Sequence, residues 1–280
     1  MSGFLGDLSP QQQAILDVFR KSLMLKGMLR ARDDDITLLR FLRARQFDLE
    51  KAEAMFAAML KFREENNVDT IRETFAFPEK DKVKQYYPHY HHKTDKQGRP
   101  MYFEQLGVLK LDELLKVTTL ERMLLYHVQE WEVLIDTKFP ACSKKAKTSI
   151  NSSLTVLDLK GVSLKHMTKT VRAFIQKLAR VDQDYYPEYL GKMMIINAPT
   201  SFKAIWALVK PFLDKHTLKK IEVHGSQFLP HLLKEADAES IPAFLGGSCC
   251  CEGRCQNSDA GPWRDPTYMV VEPLKAQQVT

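Results

Sequence analysis

The 280-residue chain has no run of about 18 consecutive apolar residues, so no segment reads as a membrane-spanning helix and any membrane contact is expected to be peripheral. Its first residues, MSGFLGDLSPQQQ, lack a basic stretch followed by an apolar one, and the glycine stands at position 3. Neither a secretory signal nor an N-myristoylation pattern is present, and a cytoplasmic setting is expected. Cysteine is scarce. Of five, Cys142 stands alone while Cys249, Cys250, Cys251 and Cys255 crowd together, which is not the spacing of a disulfide framework. Reduced thiols are the first reading of that cluster, reversible acylation the second and metal binding the third. Three adjacent ligands rarely close a tetrahedron, so no metal is expected.

Catalytic signatures are missing as well. There is no G-x-G-x-x-G, no G-x-x-x-x-G-K-[ST], no G-x-S-x-G and no H-E-x-x-H. Gly191-Lys192 precedes a strand-like run instead of linking a strand to a helix, so its amides would not converge on a phosphate. His89, His91 and His92 have no second ligand pair at structural-zinc spacing. His127 falls on the apolar side of a helical pattern and reads as a core residue. No catalytic residue, cofactor or metal is expected, and the chain is not read as an enzyme. Lys plus Arg (41) exceeds Asp plus Glu (35) by only 6, too dilute an excess to demand nucleic acid.

What is present is a globular composition, 44% hydrophobic and 27% charged. Ser9-Pro10 offers an N-cap and first helical residue, and Ile15, Val18, Phe19 and Leu23 follow at helical spacing. Asp33-Asp34-Asp35 and Asp48 each precede a further helical run, the second carrying Ala52, Met55, Phe56, Met59 and Leu60 on one face; Asn66-Asn67 ends it. From residue 84, KQYYPHYHHKTDKQGRPMYFEQLG reads as strand, turn and strand. An amphipathic helix is expected from Thr118 or Thr119 to about Phe139, then a basic loop at Lys144-Lys145-Ala146-Lys147. The runs SLTVLDLKG, KMMIINAP and KIEVHG alternate with helical patterns, which implies a largely parallel sheet covered by helices. After Gly246 the chain turns rich in Gly, Cys, Ser, Asp and Pro, and reads as a tail of little regular structure. The expected division is a helical lobe over 1–77, an α/β domain over 78–247 and a tail over 248–280.

One segment carries unusual chemistry. TSFKAIWALVKPFLDKHTLKKI places Phe202, Trp206, Val209 and Phe212 at near-helical spacing among five lysines and a single acid, Asp214. A basic, aromatic, amphipathic helix of this kind fits an anionic bilayer, and Pro211 is expected to end or kink it.

The motifs FLRARQFD, LDLKGVS, YYPEYLGKMMIINAP, KPFLD, TLKKIEVHG and IPAFLGG occur in that order. On these residues the chain resembles the CRAL-TRIO lipid-binding family, and within it the Sec-fourteen-like phosphatidylinositol/phosphatidylcholine transfer proteins, from about Ser9 to Asp265. The tail GGSCCCEGRCQNSDAGPW is similar to that of members with a further C-terminal domain. The resemblance implies an N-terminal helical lobe and a sheet that floors an apolar pocket, roofed by a gate helix at 202–213. It implies a phosphoinositol site at Arg45, Glu188, Thr217 and Lys220, where cations and a hydroxyl answer the phosphate and Glu188 accepts from inositol or orients Lys220. It implies a choline site at Tyr102, Ser153, Thr155 and His91; Ser153 and Thr155, two apart on a strand, share a face. His91 replaces a tyrosine of the family and Asp182 a serine, and phosphatidylcholine is therefore expected to be the poorer ligand.

The expectation is a monomeric phospholipid-exchange protein that takes one phosphatidylinositol, with phosphatidylcholine second, from a membrane and delivers it to another membrane or to a phosphatidylinositol kinase. The resemblance implies peripheral association with Golgi, other endomembranes and plasma membrane. A retinoid, tocopherol or sterol carrier is the alternative reading.

Overall fold

The computed structural model describes residues 1–270. Three helices open the chain: α1 (Pro10–Leu25), α2 (Asp35–Ala44) and α3 (Leu49–Glu65). Each begins where its cap residue requires. Ser9 and Gln12 form a reciprocal capping box, Asp34 accepts from the Thr37 amide, and Asp48 from that of Lys51. Leu16, Phe19, Leu23, Leu38, Leu42 and Phe56 from the three helices close into a core of their own.

Two short helices, α4 (Ile71–Thr74) and α5 (Lys80–Tyr86), lead into β1 (His89–Thr94) and β2 (Pro100–Gln105). Then come α6 (Leu111–Val117), α7 (Leu120–Val133) and, after a π-helical segment at Leu134–Lys138, α8 (Phe139–Ala146). The helical stretch thus runs one to two turns beyond the expected end. Lys144, Lys145 and Ala146 form its last turn, not a loop, and Lys147 caps it in the left-handed region. The remainder is β3 (Ser153–Asp158), α9 (Lys169–Asp184), β4 (Leu190–Ile196), α10 (Phe202–Val209), α11 (Lys215–Lys219), β5 (Ile221–Val223), α12 (Leu229–Glu235) and α13 (Cys255–Ser258).

The five strands form one sheet in the order β1-β2-β3-β4-β5, antiparallel between β1 and β2 and parallel elsewhere. Gly191 and Lys192 lie within β4, and Lys192 pairs with Glu222 and Glu235 at 2.8 and 2.9 Å. At Gly107 a side chain is sterically barred, because a Cβ there would lie 1.6 Å from the Lys160 carbonyl oxygen.

Side chains alternate across a strand, so the sheet has two distinct faces. One carries Tyr90, Met101, Phe103, Leu154, Val156, Met194 and Ile196, packed against Phe228, Leu232 and Ile241. The tail packs there too. Cys249 and Cys255 are buried on that face and the Lys93 amide donates to the Ala260 carbonyl, while Trp263 is buried in a separate core with Leu134 and Phe139. Residues 248–263 are accordingly part of the packed fold, stitched on by side chains that periodicity does not reveal; residues 271–280 of the expected tail lie outside the described residues.

The lobes are locked by buried charge. Arg63 reaches Glu132 of α7 at 2.8 Å, Arg32 reaches the same carboxylate at 3.0 Å, and the Tyr186 hydroxyl donates to it at 2.7 Å. Arg40 of α2 donates to the Glu188 carbonyl at 2.6 Å and to the Asn151 carbonyl.

Candidate functional site

The opposite face of the sheet is not filled by packed side chains. His89 and His91 of β1, Tyr102 and Glu104 of β2, Ser153, Thr155 and Leu157 of β3, and Met193 and Ile195 of β4 floor a cavity of about 690 Å³. Register explains their convergence: His91 is opposite Tyr102, Tyr102 opposite Thr155, and Thr155 opposite Met193. Leu120 and Met123 of α7 and Phe174, Ile175 and Leu178 of α9 add apolar walls. The volume and mostly apolar lining suit a bound hydrophobic molecule.

α10 forms one wall of the cavity. Ile205 is buried against Leu159, Val162 and Ile195, and Phe202 stacks on Trp206 with ring centroids 5.6 Å apart. Phe202, Trp206, Val209 and Phe212 all line the cavity, so the apolar face of the expected gate points inward in this state while Lys203 and Lys210 are exposed. Pro211 follows the last α-helical turn, as expected from its missing amide.

One end of the cavity is charged. Arg45, Glu188 and the neighbouring pair Thr217 and Lys220, from three separate parts of the sequence, all line it. Lys220 Nζ lies 3.0 Å from Glu188 Oε2, and Arg45 Nη2 is 3.7 Å from Asp184. Glu188 adopts φ +62°, an uncommon region for a residue with a side chain, while Arg40 holds its carbonyl. The Thr217 hydroxyl donates to Asp214 Oδ2 at 2.5 Å, and Asp214 caps α11 through the amides of His216 and Thr217. A phosphate accepting from Thr217 has to replace Asp214 as its partner.

Ser153, Thr155, Tyr102 and His91 lie together on the floor, with the His91 and Tyr102 rings 5.2 Å apart. Burial, reinforced by Lys138, pushes the His91 imidazole well below its ordinary range, so the ring is neutral. Its Nδ1 is buried without a hydrogen-bond partner.

Two expectations change here. His127 is not an isolated core residue: it lines the cavity, and its Nε2 lies 2.6 Å from Asp182 Oδ1. Asp182, expected only as the replacement of a serine, is itself held by two donors, because Trp131 Nε1 also donates to it at 2.8 Å. Burial alone would lower the His127 imidazole, but the Asp182 charge and hydrogen bond, with Glu104 and Glu130 nearby, outweigh it and raise its pKa.

Sequence reasoning missed the rest of this polar floor. Burial holds the Glu104 carboxyl above its usual range although the Tyr87 hydroxyl donates to it. Burial would also raise Glu130, yet the Lys138 and Lys80 charges bring it down to about 2. Glu104 had one available signal, its place two residues after Tyr102 on the same strand.

No helix among the described residues is long and apolar enough to cross a membrane. Residues 84–247 match the CRAL/TRIO domain and residues 16–58 the CRAL/TRIO N-terminal domain. The chain is 48% identical over 264 residues to the phosphatidylinositol/phosphatidylcholine transfer protein SFH9 of Arabidopsis thaliana, covering 93% of this chain and 46% of that protein. It is 44% identical over 275 residues to the SEC14 cytosolic factor of Eremothecium gossypii, covering 97% of this chain and 89% of that protein. It thus spans about half the length of the plant relative and most of the fungal one. The crystal structure of Sfh5 shares the fold with a TM-score of 0.65 at 18% identity, over 84% of this chain and 86% of that one. A two-lobed architecture, a sheet-floored cavity and these matches together establish that the chain belongs to the CRAL/TRIO family.

Proposed function

We propose that this protein is a phospholipid transfer protein: it draws one phosphatidylinositol from a bilayer into the cavity, shields the acyl chains there and releases the lipid to another membrane. The observation that carries the reading is the joining of one apolar cavity to a charged end lined by Arg45, Glu188, Thr217 and Lys220. An apolar ligand such as a retinoid, tocopherol or sterol has no phosphate for Arg45 and Lys220 to answer. Phosphatidylcholine is the second ligand, its headgroup reaching Tyr102, Ser153, Thr155 and His91. The plant and fungal relatives' names support lipid transfer. The protein acts on anionic membrane surfaces as a peripheral monomer, at Golgi and other endomembranes and plasma membrane, and presents phosphatidylinositol to a kinase. No covalent step belongs to this reading.

Mass spectrometry of lipids extracted from the purified protein tests it, combined with transfer of labelled lipids between vesicles. Bound phosphatidylinositol and its transfer are the expected results. A co-purified sterol or retinoid, with no phospholipid transfer, refutes it.

A further inference from the structure

β1 presents two adjacent histidines to opposite sides of the sheet. His91 faces the cavity, while His92 is fully buried on the other side, where the tail packs. There Cys249, Cys251 and Cys255 meet it. His92 Nε2 is 3.3 Å from Cys249 Sγ, Cys249 Sγ is 3.6 Å from Cys251 Sγ, and the ring nitrogen and three sulfurs all lie within 4.8 Å of one another. Cys250, between two of the three, is exposed and does not join them.

The imidazole is oriented for coordination. Ser258 Oγ lies 3.1 Å from His92 Nδ1 and donates its own proton to the Cys255 carbonyl at 3.0 Å. The hydroxyl oxygen therefore accepts from Nδ1–H, which leaves the Nε2 lone pair directed at the thiols. A partner on the second ring nitrogen is the usual support of a metal-bound histidine.

We propose that His92, Cys249, Cys251 and Cys255 bind one zinc ion. Zinc–sulfur bonds of about 2.3 Å and a zinc–nitrogen bond of about 2.05 Å define a tetrahedron with edges of about 3.8 Å between sulfurs and about 3.6 Å between sulfur and nitrogen. The measured 3.6 and 3.3 Å are close to those edges, so small side-chain shifts complete the site. Three soft thiolates and one imidazole select zinc over oxygen-seeking cations. Four protein ligands leave no open position, and the ion is structural: it clamps the tail to β1, the edge strand of the sheet. The site lies on the face away from the cavity, so it stands whether or not the lipid assignment does.

The test is metal analysis of the full chain, purified under reducing conditions without chelators or a metal-affinity step. About one zinc per chain is expected from inductively coupled plasma mass spectrometry. Replacement by Co(II) should give the visible bands of a tetrahedral thiolate site, and removing the metal should lower the melting temperature. Cys250→Ser should keep full metal content, whereas His92→Ala and Cys255→Ser should lose most of it. Reduced wild-type protein that holds no zinc and gives no Co(II) spectrum overturns the proposal, and needs no variant to fold. So does a Cys249–Cys251 disulfide found by peptide mapping in metal-free native protein, or undiminished zinc in Cys255→Ser.

Discussion

His127 on α7 and Asp182 on α9 are joined across the cavity, Nε2 to Oδ1, at 2.6 Å. The pair ties two walls of the cavity together, and the Asp182 carboxylate favours the protonated form of His127. Replacing Asp182 alone would strand the imidazolium, so the two positions are to be treated as a unit.

Their coupling should depend on pH. The folded-state pKa of His127 is raised by Asp182 above the ordinary imidazole value of about 6.5. A raised histidine contributes stability that is fully present below that unfolded-state value and is lost as pH rises through the folded-state value. Asp182→Ser and His127→Gln in a double-mutant cycle should show coupling of about 1 kcal/mol at pH 6, shrinking by pH 9; the half-exposed Asp182 keeps the figure modest. Urea unfolding of the four proteins measures it. Coupling that does not change with pH would mean a neutral hydrogen bond instead.

Much of this was legible in the sequence, and the residues show where legibility stopped. Helix starts at Ser9, Asp34 and Asp48, the strand at 153–158, the later part of that at 190–196 and the break at Pro211 follow from local capping and periodicity, which act within a few residues. That Ser153 and Thr155 share a face follows from the period of a strand. The His127–Asp182 pair does not, because α7 and α9 meet through tertiary packing and neither residue is marked by its neighbours. His92 and the tail thiols are hidden for the same reason: 157 residues separate His92 from Cys249, and the ligand set skips Cys250.

At the charged end, Thr217→Asp should abolish phosphatidylinositol transfer while sparing the fold. Thr217 sits on a short surface helix whose cap, Asp214, is unchanged. A carboxylate about 4 Å from the lipid phosphate repels it by about 4 kcal/mol at an effective dielectric of 20, enough to empty the site. Lys220→Ala by itself should also weaken transfer, by removing a cation and freeing Glu188, its 3.0 Å partner. Vesicle transfer assays with circular dichroism as a fold control decide the matter, and full transfer by the variant would remove Thr217 from the headgroup site.

The gate is testable through its rings. Phe202 and Trp206 stack inside the cavity, and lipid passage requires them to exchange those contacts for bilayer. Burial of one such side chain contributes roughly 1.5–3 kcal/mol, so two of them govern the balance between closed and membrane-inserted states. Phe202→Asp with Trp206→Asp should weaken vesicle binding and slow exchange. Binding of the unmodified protein to anionic vesicles should fall with salt, as Lys203 and Lys210 are screened beyond a Debye length of about 8 Å at physiological ionic strength. An exchange rate unaffected by the double substitution would assign opening to another element.

The joint between lobes gives the largest expected stability change. Glu132 is buried among Arg63, Arg32 and the Tyr186 hydroxyl. Burial by itself would raise its carboxyl, but the Arg63 hydrogen bonds and the two guanidinium charges outweigh burial and hold it below the usual range. A depressed carboxylate contributes stability that is present above its unfolded-state pKa and lost as pH falls through the folded-state value. Glu132→Ala should therefore cost about 3 kcal/mol at neutral pH, the lower end of what breaking a buried pair costs, since Asp69 still answers Arg63. Glu132→Met combined with Arg63→Met should recover most of it, because no charge is then left buried alone. Denaturant midpoints at pH 7 and pH 4 measure both effects, with the deficit of Glu132→Ala narrowing at the lower pH. A deficit that persists undiminished in the double variant would show that the glutamate's packing, not its charge pairing, joins the lobes.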